Sequence, residues 1–324
     1  WAEQAALLAQ AARVVADFMD DAAGGVERLT LAIAKATDEL LRARLLGERA
    51  EMALRLGHTE RVREDLAVAI VHDVSTPAVS LARAYLAVVD RDAKAALELL
   101  SFAQGSGKLS QVQSVWALLL TGDAHVAAGE LGSALAAYQR VTRLDVNNSR
   151  ALEGLVRVAE LDQDWEACVE YLGRRLRLPA SPREYARLSY WRGRLYRDML
   201  RREPEAYRCL KDAFDHDPGL VDAAQALRAI AMARGEWSLC AELLQRERAS
   251  ATEVIEQAGL LVELALVHEE RLLDIEAAIG NYEEALALDP EGPVPPRALA
   301  RLYALTQRYE QAREDESLNP LPAP

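Results

Sequence analysis

Between Arg174 and Arg202 the chain carries ten arginines opposed only by Glu184 and Asp198, a net of +8 in a protein whose formal charge is −13. Guanidinium forks pair with planar carboxylates, so such a cluster suits a carboxylate-rich peptide or another anion. At helical spacing Arg183, Arg187, Tyr190, Arg194, Arg197 and Arg201 share one face, opposite an apolar stripe of Leu188, Trp191, Leu195 and Met199. Arg187, Tyr190, Arg194 and Arg197 are therefore the candidate partner-binding residues, with Tyr190 offering stacking or cation–π contact. The competing reading is a solvated face that balances acidic neighbours.

Other fragments imitate chemistry and fail on a stated requirement. Gly105-Ser-Gly107-Lys108 looks like a phosphate loop, but Phe102 and Leu109 stand where that loop needs glycine and Ser or Thr. His268-Glu269-Glu270 lacks the second histidine that would complete a zinc pair on one helix face. Trp165-x-x-Cys168 and Trp237-x-x-Cys240 could suggest redox or metal sites, yet they read as one packing position occurring twice. Asp162-x-Asp164-x-Glu166 lacks the glycine of a calcium loop. No catalytic residue, cofactor site or metal ligand set is assigned, and the expectation is a protein that is not an enzyme.

The elements that would position these residues read as helices throughout. Ala, Leu, Glu and Arg dominate, and apolar residues recur at i, i+3, i+4 and i+7 between brief Gly, Pro or polar breaks. Short amphipathic helices with short links imply antiparallel pairs. A small residue marks the middle of each second helix at Val62, Ala96, Ala134, Cys168, Ala206, Cys240, Ala278 and Ala312, with gaps alternating between 34 and 38. Two further series keep the combined 72-residue period: the turns at Asp73, Asp145, Asp217 and Asp289, and the positions Ala93, Trp165, Trp237 and Tyr309. A small side chain is needed where paired helices approach closely, so the spacing carries its own mechanism.

The segment Gly122…Ala134-Leu-Ala-Ala-Tyr138…Val141, with Ala278, Tyr282, Ala285 and Pro290 later, resembles the tetratricopeptide repeat (TPR), a 34-residue helix-turn-helix. The resemblance covers about residues 43–317. It implies an all-α solenoid, a right-handed superhelix of about 16 helices, with eight TPR-like repeats forming four 72-residue double repeats that break near 114/115, 186/187 and 258/259. Residues 1–42 read as a helical cap or worn repeat, and 318–324 as a Pro-rich tail or linker. The longer spacing is expected in turns, with the extra residue of the last two double repeats in 199–204 and 272–275. Truncation after Ser114 or Ala186 should then cost less than a cut inside a pair, as at Leu131. In the family the exposed face of each first helix lines an inner groove. Members that clamp a partner's terminal carboxylates add Asn on adjacent repeats; Asn is missing here, so that activity does not carry over.

Function can be read in outline. Apolar residues at 51% supply a core, and net acidity argues against nucleic acid as partner. Three cysteines exclude a disulfide scaffold, and no apolar run reaches the ~20 residues that span a bilayer. The expectation is an interaction scaffold or adaptor that takes a protein or peptide, of acidic character, in its groove; self-association is compatible with it. The alternative is a regulatory or sensor region of a larger enzyme or signalling protein, with a nucleic-acid-binding solenoid behind it. The chain opens at Trp1 with no targeting signal in view, which reads as a fragment or processed product, with a cytoplasmic location expected.

Overall fold

The computed structural model describes residues 2–19, 21–72 and 76–306. The described residues hold α-helices, two short π-helical turns and no strand. The helices fall into two units that part between Leu178 and Pro179. The first contains α1 (Ala2–Phe18), α2 (Ala22–Lys35), α3 (Glu39–Arg55), α4 (Thr59–Val71), α5 (Pro77–Val89), α6 (Ala93–Gly105), α7 (Gln111–Ala128), α8 (Leu131–Leu144), α9 (Ser149–Leu161) and α10 (Trp165–Arg175). The second contains α11 (Pro182–Arg194), α12 (Glu203–His216), α13 (Val221–Arg234), α14 (Trp237–Ser250), α15 (Val254–Val267), α16 (Ile275–Leu288) and α17 (Val294–Leu305). Residues 307–324, including Tyr309, Ala312 and the Pro-rich end, lie outside the described residues, as does Asp73.

Within each unit every helix packs on its sequence neighbours, and in the first unit successive first helices α3, α5, α7 and α9 also touch. This is an all-α solenoid arrangement with a core spread along the array as local clusters. The small residue of every described second helix, from Val62 to Ala278, is fully buried. Polar side chains start many of the helices: Asp38, Asp92, Asn148 and Asp164 each accept from a backbone N–H three residues on. The imitation phosphate loop is one such junction, where Gly107 adopts φ +64° and Ser110 forms a capping box with Gln113 over the start of α7.

The alternation of 34 and 38 has a different cause from the one expected. The first helices α5, α9 and α13 have 13 or 14 residues, whereas α3 and α7 have 17 and 18. The longer spacing is one extra helical turn, not a longer link. Four residues nearly complete a turn, so the helix gains length while its faces stay in phase. In the second unit α11 and α15 gain their extra length through π turns at Leu195–Met199 and His268–Leu272. These overlap the expected segments 199–204 and 272–275 only at their first residues.

Hydrogen bonds locate the surplus residue. From α3 to α15 each first helix ends in a residue of positive φ: Gly57, Arg91, Gly129, Gln163 and Gly235, and after the π turns Arg201 and Leu273. The next N–H reaches back five residues in ordinary pairs, as from Glu130 to His125, but six residues from Arg202 to Tyr196 and from Asp274 to His268. Leu273 sits at φ 56° and is 76% exposed. A side chain in this region costs roughly 1–2 kcal/mol that glycine avoids, less the extra freedom glycine has when unfolded. Leu273→Gly should therefore raise stability by about 0.5–1 kcal/mol in urea melts. No gain would mean that the Leu273 side chain contributes as much as its backbone costs.

The expected double-repeat breaks also move. The breaks 42/43, 114/115, 186/187 and 258/259 all fall four or five residues inside a first helix. Cuts at Ser114 and Ala186 would therefore sever α7 and α11. Cuts in the links should be the mild ones. A fragment 2–178 should keep its helical circular dichroism, while one ending at Leu131 should lose the helicity of α7 as well as α8.

Candidate functional site

A concavity of about 780 Å³ in the first unit lies along three successive first helices. The end of α5 supplies Tyr85 and the turn after it Arg91, α7 supplies Asp123, and α9 supplies Arg150, Glu153 and Arg157. Gly154 of α9 also lines the concavity, and packs on Tyr138 of α8, which is 1% exposed and wedged between two glycines. A Cβ on Gly122 or on Gly154 would stand 2.5 Å from that ring. The Tyr138 hydroxyl donates to Asp123 at 2.7 Å, and burial together with the Asp123 charge holds its phenol far above the usual range.

Both carboxylates of this groove are already engaged. Arg150 donates to Asp123 at 3.1 Å while stacking 4.6 Å from the Trp116 ring. Arg175, on α10, donates to Glu153 at 3.2 Å. Arg91 and Arg157 are exposed, and among the described residues neither side chain meets a carboxylate. The groove therefore offers uncompensated guanidinium in an acidic protein. The sequence reading missed these residues because they come from three helices; only the i, i+7 pair Arg150 and Arg157 on α9 was visible in it.

The arginine face lies in the second unit, on α11 and the π turn after it. Arg187 and Arg194 are exposed, Tyr190 and Arg197 half-buried. Arg194 sits 5.8 Å from the Tyr190 ring. Asp198 takes up much of the charge: Arg197 grips it through both oxygens at 2.7 and 3.2 Å, and Arg194 approaches at 3.7 Å. The hydrogen bond from Arg197 holds the Asp198 carboxyl below its ordinary range. Of the three arginines, Arg187 alone has neither a carboxylate nor a ring against it among the described residues.

The apolar stripe assigned to this helix is displaced. Leu195 is buried, but Leu188 and Trp191 are half-buried and Met199 is 50% exposed. The buried face consists of Ala186, Ser189 and Gly193. Small residues there let α12 approach, and Leu210 comes within 2.9 Å of where a Gly193 Cβ would stand.

The cysteines behave as small hydrophobes. Cys168 and Cys240 are fully buried, and burial pushes the Cys168 thiol up to about 12 and the Cys240 thiol upward. Both should react with a thiol reagent far more slowly than free cysteine, and Cys168→Ala should change the melting temperature little. Fast labelling of the folded protein would refute this. No group of three or more metal-binding side chains occurs among the described residues, and Asp164 is engaged in capping α10. No helix among them is long and apolar enough to cross a membrane.

No family model matches the chain and no curated protein matches it. Among solved structures it is similar to the C-terminal part of a TPR repeat-containing protein from Cytophaga hutchinsonii, with 12% identity over 92% of this chain and 99% of that one, at a TM-score of 0.40. It is also similar to pilF of Pseudomonas aeruginosa, with 14% identity over 72% and 96%, at 0.41. A third similar structure is YrrB, described as a TPR protein with an unusual peptide-binding site, with 14% identity over 59% and 91%, at 0.37.

Proposed function

We propose that the protein is a non-catalytic interaction scaffold whose first-helix groove in the first unit grips an acidic segment of a partner protein. One observation carries this reading: Arg91 and Arg157 stand uncompensated on a groove whose own carboxylates, Asp123 and Glu153, are held by Arg150 and Arg175. A ligand carboxylate placed there gains charge-assisted hydrogen bonds without displacing an internal partner. Exposed single pairs contribute only ~0–1 kcal/mol, so affinity comes from several contacts along an extended segment. The acidic remainder of the surface repels unselected anions and makes the groove selective.

The test uses a fluorescent peptide alternating Glu with Gly. Arg91→Glu/Arg157→Glu should weaken its binding about tenfold or more, and binding should fall as salt screens the charges. Arg150 is left intact because Asp123 depends on it. Unchanged affinity in a folded variant would dismiss the groove as the binding surface.

The face of Arg187, Tyr190, Arg194 and Arg197 is a second contact for an acidic partner, favoured by the unpartnered Arg187 beside the Tyr190–Arg194 stack. Asp198 lowers its pull. Arg187→Glu/Arg194→Glu/Arg197→Glu should therefore cost less affinity than the groove variant. An equal or larger loss would move the primary site to α11. Unchanged affinity with an intact helical spectrum would leave this stripe as surface charge balance.

A further inference from the structure

We propose that a pocket in the second unit, closed by the π turn after α15, binds one apolar side chain of a partner polypeptide and hydrogen-bonds the adjoining peptide unit through Glu270 and Arg271. The pocket encloses about 460 Å³ between α13, α14 and α15. Cys240 and Leu244, both buried, form its floor. Met232 from α13 and Leu266 from α15 line it while remaining 46% and 36% exposed. Large apolar side chains lining a recess but left in water mark a surface completed by a ligand. Trp237 forms another wall, stiffened by the Arg271 guanidinium 4.8 Å from its ring.

Charge decides what kind of residue enters. Arg228, at the edge, is committed: it grips the buried Glu247 at 2.9 and 3.1 Å and Glu263 at 2.6 Å. Glu270 and Arg271 are both exposed, and among the described residues neither meets an opposite charge. An acceptor and a fork of donors lining the same pocket match the N–H and C=O of an extended peptide, and together they carry no net charge. A neutral segment with a buried Leu-like or Phe-like side chain fits better than an acidic one.

The π turn makes this arrangement possible. One surplus residue rotates the helix before it by about 100° relative to the residues after it, and π turns recur at functional positions. One 72-residue period earlier, Asp198 and Met199 stand in place of Glu270 and Arg271, and Asp198 is already bound by Arg197 and Arg194. The same backbone device is therefore self-satisfied in one copy and open in the other.

The proposal rests on the scaffold reading only in expecting a polypeptide ligand, and not on the cationic groove. The chain holds four methionines, so methyl-labelled methionine gives four signals, that of Met232 being assigned by Met232→Leu. Titration of the full chain with N-acetyl-leucinamide and N-acetyl-phenylalaninamide should shift the Met232 signal saturably, while N-acetyl-alaninamide should not. The affinity should hold between about 50 and 300 mM salt, since no net charge is paired. Glu270→Ala and Arg271→Ala, both surface changes, should each weaken binding about fivefold, and Arg91→Glu/Arg157→Glu should leave it unchanged. No saturable shift at Met232, equal shifts of all four methionines, or tighter binding of N-acetyl-aspartamide would overturn the proposal. If the acidic peptide fails to bind while Met232 still titrates, the cationic groove is wrong and this pocket stands.

Discussion

Arg55→Met should destabilise the first unit by about 3–5 kcal/mol near neutral pH, because it strands a charge inside the protein. Arg55 lies on α3 with a side chain only 6% exposed; it holds Glu51 at 2.7 Å and Asp17 of α1 at 2.8 Å. Glu51 is 3% exposed, and burial raises its carboxyl above the ordinary range despite the arginine. The folded chain thus binds that proton more readily than the unfolded chain does. Its contribution is full below the unfolded pKa and is lost as pH rises through the raised folded one. Removing Arg55 lifts the folded value further, so the variant should be weakest at neutral pH and recover part of its loss in acid. Glu51→Leu/Arg55→Leu should be far milder, since it leaves no uncompensated buried charge and Asp17 retains some access to water. Urea melts of both variants at two pH values decide the matter. A pH-independent loss in Arg55→Met would mean that the arginine's packing, and not Glu51, carries the effect.

Gly154→Val should cost about 3 kcal/mol, the upper part of what overpacking a core commonly costs. The new Cβ would meet three atoms of the Tyr138 ring at 2.5–2.8 Å. The ring cannot retreat, because Gly122 grips its other side and the hydroxyl is tied to Asp123. A branched residue adds two methyls to the clash. Tyr138→Leu is itself costly, but in that background Gly154→Val should add much less than in the parent, since the two residues share one space. Strict additivity of the two changes in thermal melts would show that the close packing around Tyr138 is not the cause.

The helix pairs were legible because the small residue between paired helices is fixed by sterics; Ala96, Ala134, Cys168 and Ala206 are buried where the spacing demanded. The extra turn of α7 was not legible. Residues 123–128 suit a helix end as well as a turn, and four inserted residues leave the apolar faces in register. The arginine run was plain, but its capture by Asp198 was not: neighbours in sequence normally point apart on a helix, and the local π geometry escapes pattern reading. Arg91 and Arg157 escaped for a third reason. A groove assembled from α5, α7 and α9 has no contiguous signature, and Arg91 occupies a left-handed turn position that more often suggests glycine.

The added turn of alternate first helices also bears on how such a protein diversifies. Four residues extend a helix by about 6 Å, so a long first helix overhangs its short neighbour and leaves a recess above the end of the short one. Both pockets use this step: Val126 and Ala127 in the overhang of α7 beside α5, and Glu270 and Arg271 in that of α15 beside α13. These are the same two positions 144 residues apart, apolar in one copy and ionic in the other. Copying the 72-residue module thus copies the step that makes a berth together with its scaffold. The berth's walls belong to the overhang, outside the buried series that ends in Cys240 and Ala278, so each copy is free to acquire its own ligand while the stacking of the helices stays the same.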